Sequence, residues 1–362
     1  MILHVVSVSG GKDSTATLLL ALSRFRRDRV VPIFCDTGNE HEAVYEYLAY
    51  LEQALDIQIH RLRASFDDEI AAKRMFIARD RRVGRQYPRA VVLDSAGNPV
   101  PKRDSRGNIV TRTVVRRGQT VVEVVPKTRK VGGGRKVRWT NTAKRRALEI
   151  LHPTGNPYLD LCLWKGRFPS RKAQFCTEEL KTKPAVLFQL GLVDQGHTVV
   201  SWQGVRRDES PARANALKFE CIGPRMFAFR PLVEWSAAQV FDHCAQAGIQ
   251  PNPLYLQGCS RVGCMPCINV GKDELRQISA RWPEHVERIA QWELLVGQAC
   301  KRGFSTMLSD GHEAADRREI FADLNIYARV EWAKTSRGGK QYDLLADLIE
   351  PTACASSYGL CG

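Results

Sequence analysis

The chain has 362 residues, of which 44% are hydrophobic and 26% charged. That composition excludes a wholly disordered, collagen-like or small disulfide-stapled protein, and the length allows two domains or one large α/β domain with an insertion. No apolar stretch approaches the roughly 18 residues of a bilayer helix, and residues 1–8 lack the charged region and cleavage site of an export signal, so a cytoplasmic protein without a membrane partner is expected. The net charge of +15 is localised: residues 71–146 hold 22 Lys and Arg against Asp80, Asp94, Asp104 and Glu123, a net of +18, which leaves −3 for the rest of the chain. A localised basic field is the usual footprint of a nucleic-acid partner; the bland alternative is a solvated insertion whose charge serves solubility.

In chain order, Ile2 to Val8 is a short β-branched run ending in Ser9-Gly10-Gly11-Lys12-Asp13-Ser14, and Thr15 to Leu22 reads as a buried helix. Val30 to Cys35 is a second buried strand with Asp36-Thr37-Gly38 as its terminal turn, Glu40 to Ala54 a helix, and Ile57 to Leu62 a third strand. Alternating elements of this size imply right-handed crossovers, a parallel sheet and ligand sites at the carboxyl ends of the strands. The pattern breaks at the basic segment, where short strands at 91–93, 109–115 and 120–125 are separated by turn signals and followed by Gly132-Gly133-Gly134, which together predict a basic β-hairpin insertion. Helical patterning resumes near Asn141, Thr198 to Gln203 returns as a strand ending in Gly204-Val205-Arg206, Trp235 to Ala247 is an amphipathic helix, and the chain from Asn269 is mainly helical up to a short tail. No internal repeat is read. The resulting organisation is a nucleotide-binding domain from 1–64 and 141–250, a basic insertion at 65–140, and a cysteine-rich helical region at 251–362.

The loop from Ser9 to Ser14 places two glycines where backbone N–H groups can approach a phosphate, a lysine to neutralise its charge, and a hydroxyl at a helix start whose orphan donors and dipole favour anions. Its spacing is not that of the kinase-type phosphate loop, G-x-x-x-x-G-K-[ST]. The eleven cysteines are an odd number, and their spacing does not read as a disulfide framework. Cys259, Cys264 and Cys267 lie within nine residues and have the spacing of metal ligands.

SGGKDS after the first strand resembles the PP-loop of the ATP pyrophosphatases. Later segments resemble that superfamily's phosphoadenosine phosphosulfate reductase-like branch. They are Asp36-Thr37-Gly38 with Glu40 and Glu42, Cys176 through Lys181 and Lys183 to Pro184, Gly204-Val-Arg206-Arg-Asp-Glu209-Ser210, Pro231 to Trp235, Asn252-Pro253-Leu254-Tyr255, and Gly263-Cys264-Met-Pro-Cys267. The resemblance implies an adenine-nucleotide α-hydrolase-like fold with ATP across the carboxyl ends of the strands. It assigns the nucleotide to Ser9, Gly10, Gly11, Lys12, Asp13, Ser14, Asp36, Thr37, Gly38, Lys181, Gly204 and Arg206. Within that set Lys12 neutralises charge developing at the α–β bond, Asp13 helps place Mg²⁺, and Arg206 meets the phosphate or the activated intermediate.

The resemblance also brings Cys176 to the three clustered thiols. Four thiolates suit zinc and a [4Fe–4S] cluster equally on geometry; the sulfonucleotide-reductase branch implies the cluster. The family's adjacent cysteine pair is here Phe175-Cys176, so Cys259 is expected to join Cys176, Cys264 and Cys267 as the fourth ligand. The tail from Cys354 to Cys361 loosely resembles the family's mobile nucleophile-bearing tail, which would make Cys361 a thiol or persulfide carrier; otherwise it is a frayed terminus.

Three functions follow. The preferred one resembles the Dnd/Ssp-type DNA phosphorothioation ATPase: an ATP pyrophosphatase that adenylates nucleic acid, DNA before RNA, held by residues 71–146, with a cysteine desulfurase as sulfur donor. An intact Lys12-Asp13 loop suits ATP cleavage, and the basic insertion suits a phosphate backbone. The second is reduction of adenylyl sulfate or its 3′-phosphate to sulfite with Cys361 as nucleophile. The third is a nucleotide-sensing nucleic-acid-binding protein of a defence complex.

Overall fold

The computed structural model describes residues 1–80, 85–86, 88–116, 119–132, 135–136, 139–308, 317–336 and 356–360. They fall into two compact units, residues 1–76 with 142–362, and residues 77–141. The sequence places the basic insertion at 65–140; the compact division falls at 77 and 141, and residues 251–362 belong to the first unit.

In chain order, β1 (Ile2–Ser7) leads through a tight loop to α1 (Lys12–Arg24), β2 (Val30–Asp36), α2 (Glu42–Leu55), β3 (His60–Arg63) and α3 (Asp67–Arg79). Six short strands follow: β4 (Arg85–Gln86), β5 (Arg89–Val91), β6 (Thr111–Arg116), β7 (Gln119–Val124), β8 (Thr128–Lys130) and β9 (Arg135–Lys136). Next come α4 (Asn141–Ile150), α5 (Pro157–Lys165) and α6 (Phe175–Thr177), which runs through a wide turn at Glu178–Thr182 into α7 (Lys183–Asp194). The sheet is completed by β10 (Thr198–Trp202), β11 (Phe219–Gly223) and β12 (Met226–Phe229). Helices α8 (Ala237–Gln246), α9 (Lys272–Arg281), α10 (Pro283–Ala299), α11 (Arg317–Leu324) and α12 (Ile326–Ala333) close the described chain.

The main sheet has the order β11-β12-β10-β1-β2-β3. Every neighbouring pair is parallel except β11 with β12. Strand β1 is central, and Leu3, His4, Val5 and Val6 are all buried, as a strand covered on both faces requires. From β1 the chain moves outward to β3, then returns on the other side as β10, so the order reverses between β1 and β10. At such a switch point the loops leaving two adjacent parallel strands diverge and open a crevice beyond their carboxyl ends. Residues 8–11 and 203–206 are those two loops.

The expected parallel α/β architecture is therefore present, with two additions. Helix α3 lies where the pattern was read as broken; its core contacts rest on Ile70 and Ile77, buried to 0% exposure amid basic and acidic neighbours, and its first turn carries Asp67, Asp68 and Glu69 at the positive end of the dipole. The hairpin β11–β12 turns at Arg225, which has φ 57°, and extends the sheet by an antiparallel edge. Among the described residues no helix is long and apolar enough to cross a membrane.

Residues 77–141 are built of antiparallel ladders: β4 with β9, β5 with β8, β6 with β7. They also contain a repeat that the sequence reading passes over. The ten residues from Val91 are followed by ten from Pro101 with the same Asp-Ser-x-Gly-Asn turn. In the first, Asp94 Oδ1 accepts N–H groups from Ala96 and Asn98, both at 2.9 Å; in the second, Asp104 Oδ1 accepts from Arg106 at 2.8 Å and Asn108 at 2.9 Å. Gly97 and Gly107 take φ +84° and +86°, a conformation cheap only for glycine. Each turn closes a ring of three backbone hydrogen bonds, through Val92, Lys127 and Val100 in one and Lys102, Val125 and Val110 in the other.

Candidate active site

The crevice between the β1 and β10 loops is lined by the glycine loop. Gly10 has φ +74°, and a Cβ there would meet Val44 Cγ1 at 3.2 Å. The Ser9 N–H donates to Ser14 Oγ at 3.0 Å, and the Ser14 hydroxyl donates to Gly11 O at 2.8 Å, so the loop is tied to the first turn of α1. No side chain caps α1 at Gly11. The Lys12 N–H donates to Tyr255 Oη at 3.0 Å, and Asn252 donates to Gly10 O at 3.2 Å.

Lys12 is 8% exposed. Its ammonium lies 3.2 Å from Asp13 Oδ2 and above three rings, Tyr358 at 4.8 Å, Tyr255 at 5.5 Å and Phe241 at 6.0 Å. The other Asp13 oxygen accepts from Arg206 Nε at 2.5 Å, while Arg206 Nη1 donates to Asp208 at 2.6 and 2.7 Å. Arg206, 4% exposed, is thereby fixed between two carboxylates at the end of β10. Gly204 makes this possible, because a Cβ there would sit 2.8 Å from the Asp13 backbone C and O. The structure thus brings Ser9, Gly10, Gly11, Lys12, Asp13, Ser14, Gly204 and Arg206 into one site, and buries two cations around one carboxylate in it.

Asp36-Thr37-Gly38 forms a second loop, at the end of β2. Its shape is locked by Glu40, whose carboxylate accepts from the Thr37 hydroxyl at 2.7 Å and the Thr37 N–H at 3.1 Å. Asp36 Oδ1 accepts from the Gly38 N–H at 2.9 Å and the Tyr45 hydroxyl at 2.8 Å. This loop reaches the thiol region: Cys264 Sγ lies 3.3 Å from Thr37 Oγ1 and 3.7 Å from Glu40 Oε1, and the Met265 N–H donates to Asn39 O at 2.8 Å. Arg288 on α10 braces the junction by donating to Asn39 Oδ1 at 3.1 Å and Met265 O at 2.9 Å.

Cys264, Cys267 and Cys176 form a common electrostatic neighbourhood with Lys181. The charges of Cys264, Glu40 and Cys267 raise the Lys181 pKa although burial opposes this. Burial pushes the Cys264 thiol up to about 12, and Lys181 works against that shift. The Cys176 thiol is raised by burial and by Cys267. Lys181, expected at the nucleotide, has Cys264, Cys267, Glu40 and Arg261 as its titratable neighbours. Cys259, expected as the fourth ligand, has its thiol raised to about 12 by burial and by Glu274, with Arg281 opposing. Cys354 and Cys361 lie outside the described residues.

A buried phenol bears on whether these thiols suit a metal group. Tyr158 is 2% exposed and its hydroxyl has no hydrogen-bond partner, an orphan that normally costs free energy. Burial raises its pKa well above the usual phenol value, and the further causes are Cys162, Cys176, Cys264 and Cys267. An orphaned buried donor with thiols among its titratable neighbours fits a sulfur-rich group that would accept from it. A tetrahedral zinc holds its thiolates about 3.8 Å apart, from Zn–S bonds of about 2.3 Å; among the described residues no three cysteine thiols lie within 4.8 Å of one another.

Residues 3–81 and 160–270 match the phosphoadenosine phosphosulfate reductase domain. The chain belongs to the phosphoadenosine phosphosulfate reductase domain family. The gap in the match, 82–159, covers most of the basic segment, so the family core is the unit that carries the crevice. An uncharacterised 37.8 kDa protein of Escherichia phage 186 is 41% identical over 99% of this chain and 96% of its own length. An adenosine 5′-phosphosulfate reductase of Staphylococcus haemolyticus is 33% identical over 23% of this chain and 35% of its own; the chain thus matches about a third of that enzyme. The crystal structure of a phosphoadenylyl-sulfate reductase from Candida auris aligns over 72% of this chain and 80% of its own with a TM-score of 0.34 and 13% identity.

Some site residues were not legible. Tyr358 reaches Lys12 across 346 positions at 3.4 Å, and nothing in its local sequence marks it. Asn39, Tyr45 and Arg288 serve the Asp36 loop through contacts that only the fold creates. Asp208, by contrast, stands two residues after Arg206 in a motif already singled out, and an acid beside a buried arginine was a readable signal.

Proposed function

We propose that this family member is an ATP pyrophosphatase that adenylates a nucleic acid, the DNA backbone before RNA, so that sulfur can replace oxygen. The observation that carries the reading is the intact loop at the strand switch point, with Lys12 and Arg206 both aimed at the α1 N-terminus by Asp13. Backbone donors, the helix dipole and two fixed cations form an environment organised for charge that develops on phosphate. Asp13 holds the cations and keeps oxygen lone pairs of the kind Mg²⁺ takes. Lys12 would neutralise the departing pyrophosphate, and Arg206 would orient the adenylyl phosphate against the acceptor.

Cys176, Cys264 and Cys267 would hold a [4Fe–4S] cluster, whose contribution when bound is sulfur or electron chemistry beside the nucleotide. Support for it comes from the Tyr158 orphan and from the contact between Cys264 and the Asp36 loop. The net charge of +18 across 71–146 supports a phosphate-backbone partner for residues 77–141, and a cysteine desulfurase would supply sulfur. The test is pyrophosphate release from ATP by the anaerobically purified protein, with and without duplex DNA. DNA-stimulated release supports the reading; ATP left intact under both conditions rejects it.

A second reading, sulfonucleotide reduction, is favoured by the matches to adenosine 5′-phosphosulfate reductases. It requires sulfite release from adenylyl sulfate or its 3′-phosphate in the presence of a thiol reductant, with ATP inert.

A further inference from the structure

The walls around the Lys12 ammonium differ in origin. Tyr255 and Phe241 belong to the folded frame. Tyr255 is 2% exposed and takes the Lys12 N–H on its hydroxyl, and Phe241, on α8, stands edge-on to it at 5.4 Å. Asp13 follows Lys12 on α1 and is itself held by Arg206. The remaining wall, Tyr358, comes from the C-terminal tail. Its ring lies 5.2 Å from Phe241 and 5.7 Å from Tyr255. Its hydroxyl accepts from Lys12 Nζ at 3.4 Å and donates to Ser260 O at 2.6 Å. A turn presents the phenol: the Tyr358 N–H donates to Ser356 Oγ at 3.3 Å, and Gly359 takes φ +71°. Ser260 is itself part of the site, because its loop packs on the glycine loop, where a Cβ on Gly11 would lie 3.7 Å from Val262 Cβ. With all these walls in place the Lys12 side chain is 6% exposed, and a phosphate oxygen has no open approach to Nζ. Of the walls, the tail is the one not built into a helix or the frame around it, and chain ends are where local release costs least.

We propose that Tyr358 is an autoinhibitory strap: its hydroxyl takes the place of a phosphate oxygen on Lys12 and is displaced when a pyrophosphate-bearing ligand enters the glycine loop. This rests on the phosphate-loop reading above and adds regulation to it. The phenol is a neutral acceptor, and an ammonium bonds a phosphate anion more strongly, so an anionic ligand outcompetes it. In the closed state the phenol still gives the buried ammonium a partner and a ring face. Lys12 is thereby kept in its working direction while ligands too weakly charged to displace the strap are excluded.

The experiment is calorimetric titration of the anaerobically purified full-length wild type, Tyr358→Ala and Tyr358→Phe with inorganic pyrophosphate and with ATP and Mg²⁺. Amide hydrogen exchange of residues 356–360 is followed alongside, with and without pyrophosphate. The expected result is pyrophosphate binding about 10-fold tighter in Tyr358→Ala, the effect of no longer displacing one hydrogen bond to a charged group. Tyr358→Phe, which keeps the ring and loses the hydroxyl, should gain part of that factor. Exchange at 356–360 should speed up in the wild type when pyrophosphate binds, and should already be fast in Tyr358→Ala without it. Equal affinity in the three proteins, or wild-type exchange that pyrophosphate leaves unchanged or slows, overturns the strap and leaves the phosphate-loop reading standing. Weaker binding in Tyr358→Ala also overturns it, because the phenol would then hold the ligand instead of excluding it. Failure of the wild type and both variants to bind pyrophosphate or ATP overturns the phosphate-loop reading itself, and the strap with it.

Discussion

The two units carry positive charge in opposite ways. In the crevice, Lys12 and Arg206 are 8% and 4% exposed and share Asp13, whereas in residues 77–141 Lys102, Arg106, Lys127, Arg129 and Lys130 stand exposed to solvent. A buried cation held by a carboxylate is costly to desolvate but fixed in direction; an exposed one is cheap, mobile and screened by salt. The first kind recognises one group at one place, and the second holds a polyanion of any sequence. Under the proposed function, the first kind would serve the chemistry at one phosphate and the second would hold the polymer.

Breaking the buried side of this comparison has the largest expected effect. Arg206→Met removes the guanidinium from Asp13, which keeps Lys12, and from the half-exposed Asp208, and should cost about 1.5–3 kcal/mol of stability, the usual worth of hydrogen bonds to charged groups; a denaturant melt measures it. Wild-type stability in this variant means that Asp13 does not depend on Arg206. Lys12→Ala should slow pyrophosphate release about 10²–10³-fold, the loss typical for one organised charge-stabilising group, with folding retained because Asp13 keeps Arg206. Unchanged turnover removes the phosphate loop from the chemistry.

The exposed side should respond more gradually. Neutralising Arg112, Lys127, Arg129 and Lys130 together should weaken binding to unrelated duplexes alike and flatten its salt dependence by about 0.9 in log–log slope per lost phosphate contact, as followed by fluorescence anisotropy. ATP turnover without DNA should be unaffected. Arg116 and Arg117, in the same basic segment, have side chains outside the described residues. Indistinguishable wild-type and variant titrations would remove the reason for assigning a polymer to this unit.

The smallest effect concerns His41 and His285, whose rings stack at 4.9 Å near the Asp36 loop. Burial lowers both pKa values, with His285 adding to the effect at His41 and Arg288 at His285, while Glu42 and Glu284 oppose. Because the folded values lie below the unfolded value of about 6.5, the unfolded chain binds protons first as pH falls. Stability should be full above that pH and decline below it. A His41→Asn, His285→Gln double variant should show a shallower decline between pH 7 and 5 in thermal melts; an equal slope would assign the acid sensitivity elsewhere.

The legible parts of the molecule were those written in neighbouring residues. The β1 run, its glycine loop and α1 follow from local chemistry alone, whereas Gly204-Val-Arg206 was marked through its resemblance to a family motif, and the structure sets it against Asp13. Cys264 and Cys267 were likewise marked by spacing. The same spacing drew in Cys259, whose charged neighbours are Glu274 and Arg281. Lys181 illustrates the same limit: its motif marks it as functional, but whether its charge serves phosphate or thiol depends on residues more than 80 positions away.

The paired turns at Asp94 and Asp104 carry a different kind of consequence. Each is a self-contained ten-residue module whose shape depends on its own aspartate, glycine and asparagine, and each hydrogen-bonds to successive alternate residues, Lys127 and Val125, of one returning strand. An arm made this way can change length by whole modules through tandem duplication or loss, with the return strand adjusting by two residues and the inward and outward faces preserved. Its length can therefore be retuned in evolution without disturbing the ladders of residues 77–141.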